Sequence, residues 1–363
     1  MSGGGPSMRL AILGAGSWGT ALAIHLGRQG LPVHLWARDP ELAGRLRATG
    51  ENPRYLPGLR IPPGVAATSR LEEALAGSEL VITAVPSQFL AGVVRAAGPH
   101  VARPAVIVSA TKGIETERGL RMSELLAEAL PGRPVAVLSG PSFAREVALG
   151  KPTALVVASA DARVAREVQE TLAAPEFRLY TNQDVIGVEI GGALKNVVAI
   201  AAGLSDSLDL GENARAALIT RGLAEIVRLG VALGASPRTF AGLAGLGDLV
   251  LTCTGSQSRN HALGFAVGQG RSLAEAEGAT RMVAEGVRTV TSALGLAGAV
   301  SVSMPICEAV AAVLFERQPV PEALSRLLSR EPRPEEDPVD PFRPSQGASA
   351  AAAPAGRGDS PGA

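Results

Sequence analysis

The chain has 363 residues, enough for two domains, and its 34 basic residues balance its 34 acidic ones. That neutrality removes the electrostatic case for a nucleic-acid partner, and no basic run points to a membrane surface. The 46% hydrophobic content is ample for sizeable cores. From the N-terminus, MSGGGPS is small and flexible, without the charged start and apolar core of a signal peptide. No apolar run is read as reaching the roughly 18 residues that span a bilayer. Cys253 and Cys307 form neither metal-ligand spacing nor a disulfide framework, so no metal is expected and a reducing cytoplasm fits.

Residues 8–13 read as a short apolar strand that runs into Gly14-Ala15-Gly16-Ser17-Trp18-Gly19, with an apolar helix over 20–29. This is G-x-G-x-x-G between strand and helix. Gly14 permits the tight turn, Gly16 lets the backbone approach a pyrophosphate, and Gly19 lets helix pack on strand. The phosphates then meet the helix N-terminus. A second strand over 33–37 ends at Arg38-Asp39. An acid at that strand end holds the ribose hydroxyls of NAD, and a cation holds the 2′-phosphate of NADP. Arg38 comes first, so NADPH is favoured and NADH stays open.

A helix near 40–49 leads to an irregular loop over 52–58. Its Tyr55, one of two tyrosines, either rests against the cofactor or anchors the loop. A buried strand over 80–84 precedes Ser87, which is placed to cap a helix to about 97. A strand over 105–109 runs into Ala110-Thr111-Lys112-Gly113, so Lys112 stands at the carboxyl edge of a parallel sheet, where such sheets bind ligands. A strand over 135–138 is followed by Ser139-Gly140-Pro141-Ser142-Phe143-Ala144, small residues and a capping serine that offer backbone N–H groups to an anion. Strands over 153–159 and 177–180, around a helix over 161–173, complete the parallel sheet.

From Asp184 the period changes to helices, over 184–203, 213–234, 259–269, 283–298, 305–315 and 320–329. A glycine-rich loop over 242–255 interrupts them, carrying Asp248, with Ser258-Arg259-Asn260 beyond it. The expected divisions are a flexible 1–7, a dinucleotide-binding domain over 8–183, an all-helical domain over 184–330, and a disordered tail over 331–363. That tail is rich in Pro, Glu, Asp, Ala, Gly and Ser. The fold class is thus α/β, a Rossmann-like parallel sheet followed by helices.

Only three of the 34 basic residues are lysine: Lys112, Lys151 and Lys195. Guanidinium does not give up its proton, and a desolvated ammonium can. Lys195 lies on the first helix after the sheet, and Lys112 approaches from the sheet edge. Lys151, beside Pro152, reads as an exposed turn residue.

At this point the sequence resembles the bacterial NAD(P)-dependent glycerol-3-phosphate dehydrogenase family over about 8–330. The resemblance rests on GAGSWGTALA, SATKGIE, LSGPSFAREVALGKPTA, EIGGALKNVVAIAAGLSD, ENARAALITRGLAEI, GLAGLGDLVLTCTG with SRN after it, and AEGV. It implies reversible reduction of dihydroxyacetone phosphate to sn-glycerol 3-phosphate, by hydride transfer from NAD(P)H, for phospholipid synthesis. By motif, Lys195 resembles the general acid/base and a substrate contact, and Lys112 the lysine that meets both substrate and cofactor. Gly140, Ser142, Asp248, Ser258, Arg259 and Asn260 resemble substrate contacts. Ser17, Trp18, Arg38, Ala144, Arg259, Val283 and Glu285, with Tyr55, resemble cofactor contacts. Ser207 and Asp209 depart from the small residues usual in that motif. The apolar helices suggest a homodimer.

Two rivals remain. One is a 6-phosphogluconate or 3-hydroxyacid dehydrogenase, which shares the plan and a lysine on the first helix. It lacks SGPSFA before the lysine and LGDLVLTCTG with SRN after it. The other is a nucleotide-binding redox sensor without turnover, which has no need of a lysine pair, an aspartate and an anion cluster together.

Overall fold

A computed structural model describes residues 8–278, 284–331, 334 and 335. The expectations for 1–7, for Val283 and for nearly all of the tail lie outside these residues.

Among the described residues there are ten strands: β1 (Leu10–Leu13), β2 (Val33–Trp36), β3 (Glu51–Asn52), β4 (Leu56–Arg60), β5 (Val65–Thr68), β6 (Leu80–Thr83), β7 (Val106–Ser109), β8 (Val135–Ser139), β9 (Thr153–Ala158) and β10 (Phe177–Asn182). Eight form one sheet in the order β10-β9-β8-β7-β6-β1-β2-β5, and β3 and β4 pair separately. β1, β6 and β7 are buried at every residue, as near-continuous apolar runs covered on both faces should be. One core cluster joins the helix Ser17–Arg28 to one face, and a second joins the helices Ser87–Ala97 and Met122–Ala129 to the other.

The sheet is not parallel throughout. β8 pairs with β9 antiparallel, and β9 with β10 parallel, so the last two strands run in reverse. The cause lies in the connection. The helix after β8, Ala144–Ala148, has five residues and rises about 7.5 Å, too little to return along a strand of about 17 Å. The chain therefore enters β9 from the edge at which it left β8. The expected loop over 52–58 also proves ordered, as the β3–β4 hairpin with a register irregularity at Glu51/Asn52.

Beyond β10 the described residues contain helices only. The helix Val185–Ser207 is their hub, packed by Arg259–Gly268, Gly211–Ala232, Asp248–Thr254 and Glu285–Ala299. With 23 residues and a mean hydropathy of 1.6 it is long and apolar enough to cross a membrane, which corrects the reading that no run reaches that length. Burial of 89% of its most apolar window marks it as a core helix instead.

The segment over 242–255 is helical too: a π-helical turn, Leu243–Gly247, runs straight into Asp248–Thr254. Its glycines serve contact rather than flexibility. A Cβ on Gly245 would stand 2.2 Å from the Phe240 carbonyl oxygen, and one on Gly191 2.6 Å from that of Ala244.

Candidate active site

At the end of β1, Gly14 takes φ +121°, and a Cβ there would meet the Ala84 carbonyl oxygen at 2.7 Å. A Cβ on Gly19 would sit 1.9 Å from the Gly14 oxygen, so that position must be bare for helix to pack on turn. Gly16 has nothing within 4 Å of its Cβ position: the backbone there faces open space. That space belongs to a cavity of about 890 Å³. Its lining includes Ser17, Trp18, Arg38, Tyr55, Lys112, Ser142, Ala144, Lys195, Ser258, Arg259, Asn260 and Glu285. Gly19 lies behind the turn. A bare turn, a helix N-terminus and a cation at the end of β2 fit a dinucleotide.

Lys195 and Lys112 meet over one carboxylate. Lys112 Nζ donates to Asp248 Oδ2 at 2.6 Å and to the Gly140 carbonyl at 2.9 Å, while Lys195 Nζ donates to Asp248 Oδ1. Asp248 is wholly buried beneath the pair, so it orients the two ammonium groups from below the cavity wall. Thr252, one turn on, donates to the Asp248 carbonyl at 2.6 Å. Burial pushes the Lys195 ammonium down to about 7. Asp248 holds it up and Lys112 lowers it again. Gly192, on the helix of Lys195, has no room for a Cβ, which would lie 2.5 Å from Ser139 Oγ. The central helix thereby comes against the end of β8.

The helix Arg259–Gly268 turns its N-terminus, Ser258 to Asn260, to the same cavity. Ser258 caps it, accepting from the His261 N–H at 3.3 Å. The Asn260 side chain donates to Asn196 Oδ1 at 2.9 Å and accepts from the Gly286 N–H at 3.0 Å. Its expected reach toward a ligand is therefore shared with a structural duty. Ser87 and Ser142 do not cap helices. Ser87 Oγ donates to Glu285 Oε2 at 2.7 Å, and Ser142 Oγ donates to the Gly140 carbonyl at 3.0 Å. Burial pushes the Glu285 carboxyl above its usual range, opposed by the Ser87 bonds and the charge of Arg259.

Lys151 is exposed and pairs with Glu146 at 3.4 Å, away from this cavity. Sequence reasoning passed over Asn196, Thr252, Arg54 and Phe89. Thr252 stands four residues after Asp248, one helical turn, so spacing could have flagged it.

Two family descriptions match the chain. "NAD-dependent glycerol-3-phosphate dehydrogenase N-terminus" covers residues 9–165, and the corresponding C-terminus covers residues 184–325. The chain belongs to this family. The glycerol-3-phosphate dehydrogenase [NAD(P)+] of Geobacter sulfurreducens is 53% identical over 328 residues, 90% of this chain and 98% of its own length. That of Moorella thermoacetica is 50% identical over 321 residues, 88% of this chain and 96% of its own. Among solved structures, the glycerol-3-phosphate dehydrogenase of Coxiella burnetii superposes with a TM-score of 0.87 at 42% identity, over 89% of this chain and 99% of that one.

Proposed function

We propose that this chain is an NAD(P)H-dependent sn-glycerol-3-phosphate dehydrogenase that reversibly reduces dihydroxyacetone phosphate and so supplies phospholipid synthesis. The observation that carries the reading is the lysine pair over the buried Asp248, on the wall of the cavity that the glycine turn enters. Reducing a ketone puts a hydride on carbon and a proton on oxygen as negative charge builds there. The Gly14–Gly19 turn, Arg38 and Glu285 would hold NAD(P)H, which when bound would supply the hydride. Lys195 gives the proton and takes it back in oxidation. Lys112, between Gly140 and Asp248, places a second positive charge beside the oxygen. The Ser258–Asn260 helix end and the Arg259 guanidinium suit a phosphate monoester.

The division of labour we adopt gives most nucleotide contacts to residues 8–183 and the catalytic lysine and phosphate contacts to 184–330, with Glu285 crossing to the nucleotide, Lys112 to the substrate, and the site in the cleft between them. Cytoplasmic action is supported by the two free, buried cysteines. A homodimer is supported by apolar side chains left exposed in the helical part, among them Leu210, Phe315 and Leu328. Sedimentation showing only a 36.9 kDa species at working concentration would refute the dimer. The function itself is tested by NADPH absorbance, which should fall on adding dihydroxyacetone phosphate and barely change with unphosphorylated dihydroxyacetone. No fall with the phosphate refutes the reading.

A further inference from the structure

Arg38 is the cation that the sequence places at the end of β2, and a second cation lines the same cavity. Arg54, at the tip of the β3–β4 hairpin, lines the same cavity, and its Nη1 lies 3.4 Å from Asp39 Oδ2. The other oxygen of Asp39 accepts from the Glu41 N–H at 2.9 Å and caps the helix Pro40–Thr49. The acid that would serve an NAD ribose thus already has two partners.

Each arginine is backed by a ring: the Arg38 guanidinium lies 5.2 Å from the Phe89 centroid and that of Arg54 5.2 Å from Tyr55. A guanidinium laid against an aromatic face keeps its N–H edge for an anion. The hairpin tip is also fastened to the glycine turn. Asn52, fully buried, donates to the Ala15 carbonyl at 2.9 Å and accepts from the Tyr55 N–H at 3.1 Å, while Ser17 Oγ donates to the Tyr55 carbonyl at 2.8 Å. The position of Arg54 is therefore set by the element that receives the pyrophosphate.

We propose that Arg54 is the second cation of a ribose 2′-phosphate site and that its exchangeable pairing with Asp39 lets one pocket accept both nucleotides. A 2′-phosphate takes Arg54 from Asp39, and a 2′-hydroxyl donates to Asp39 while Arg54 stays. The Arg54–Asp39 pair is long and about half exposed, the kind that exchanges readily. The inference rests on the dinucleotide-dependent function proposed above.

The test uses nucleotide fragments that carry no nicotinamide. Binding of adenosine 2′,5′-bisphosphate and of adenosine 5′-monophosphate to the full chain is measured by titration calorimetry. Arg54→Gln should weaken the bisphosphate about tenfold to a hundredfold, the scale of one charged hydrogen bond, and leave the monophosphate nearly unchanged. Arg54→Lys should recover part of that loss. Asp39→Asn, which keeps a capping side chain, should tighten the bisphosphate and weaken the monophosphate. Equal loss of both ligands in Arg54→Gln, or no loss of either, overturns the proposal. A chain that binds the fragments as expected but consumes no NADPH with dihydroxyacetone phosphate refutes the proposed function and leaves this site standing.

Discussion

Lys195 faces two opposed demands. An ammonium near its ordinary value is a poor base at neutral pH, and a buried one without a counter-charge would be a neutral amine. Burial brings Lys195 to about 7, against the pull of Asp248, so either protonation state is accessible near neutrality. The sign follows from the direction of reaction. Reduction uses the ammonium, so kcat/KM for dihydroxyacetone phosphate should fall as pH rises through about 7. Oxidation uses the free amine, so its rate should rise through the same region. Paired initial-rate profiles check this, and parallel profiles in the two directions would remove Lys195 from the proton transfer. Stability carries a linked term. Between about 7 and the ordinary 10.5 the unfolded chain holds more protons at this lysine than the folded one, so its contribution grows more favourable as pH rises across that window.

At the scale of elements, the helices Val185–Ser207 and Arg259–Gly268 touch backbone to backbone. A Cβ on Gly203 would lie 2.0 Å from the His261 carbonyl oxygen, and one on Gly264 2.1 Å from that of Ile200. Gly203→Ala gains helix propensity of about 1 kcal/mol but must push a backbone aside, an overpacking cost of about 1–3 kcal/mol or more. The net expectation is a lower melting temperature, read by calorimetry, with a raised KM for the phosphorylated substrate because Arg259 and Asn260 ride on the displaced helix. An unchanged melting temperature would mean that the helices separate freely.

The same contacts explain what periodicity could not reveal. The strand β1, the turn after it and the long helices were legible because their signals are local. The segment over 242–255 read as a loop because glycine is a turn signal, and only the facing backbone shows that these glycines permit close packing. The reversal at β9 was hidden for a similar reason: it depends on the helix Ala144–Ala148 being too short to cross the sheet.

Across the whole molecule, the site is assembled by bonds that join the sheet-bearing and helical parts. Lys112 reaches Asp248 over 136 residues of sequence and Ser87 reaches Glu285 over 198. Arg121 and Ser123 bind Glu189 of the central helix at 2.8 and 2.6 Å. Lys112, Asp248 and Ser87 stood out in the sequence and the resemblance supplied Glu285, whereas Arg121, Ser123 and Glu189 carried no local signal. Asn196, Arg54 and Phe89 escaped notice because their chemistry lies in partners that spacing alone does not name.

The arrangement also makes the decisive variant interpretable. With Lys195 replaced, Asp248 keeps Lys112 at 2.6 Å, so no buried carboxylate is left without a counter-charge. Lys195→Met should lower kcat for dihydroxyacetone phosphate reduction by about 10²–10⁴-fold, the usual worth of a general acid, while NADPH binding measured by fluorescence titration stays nearly unchanged. Turnover close to that of the unaltered enzyme would contradict the assignment of the proton to Lys195.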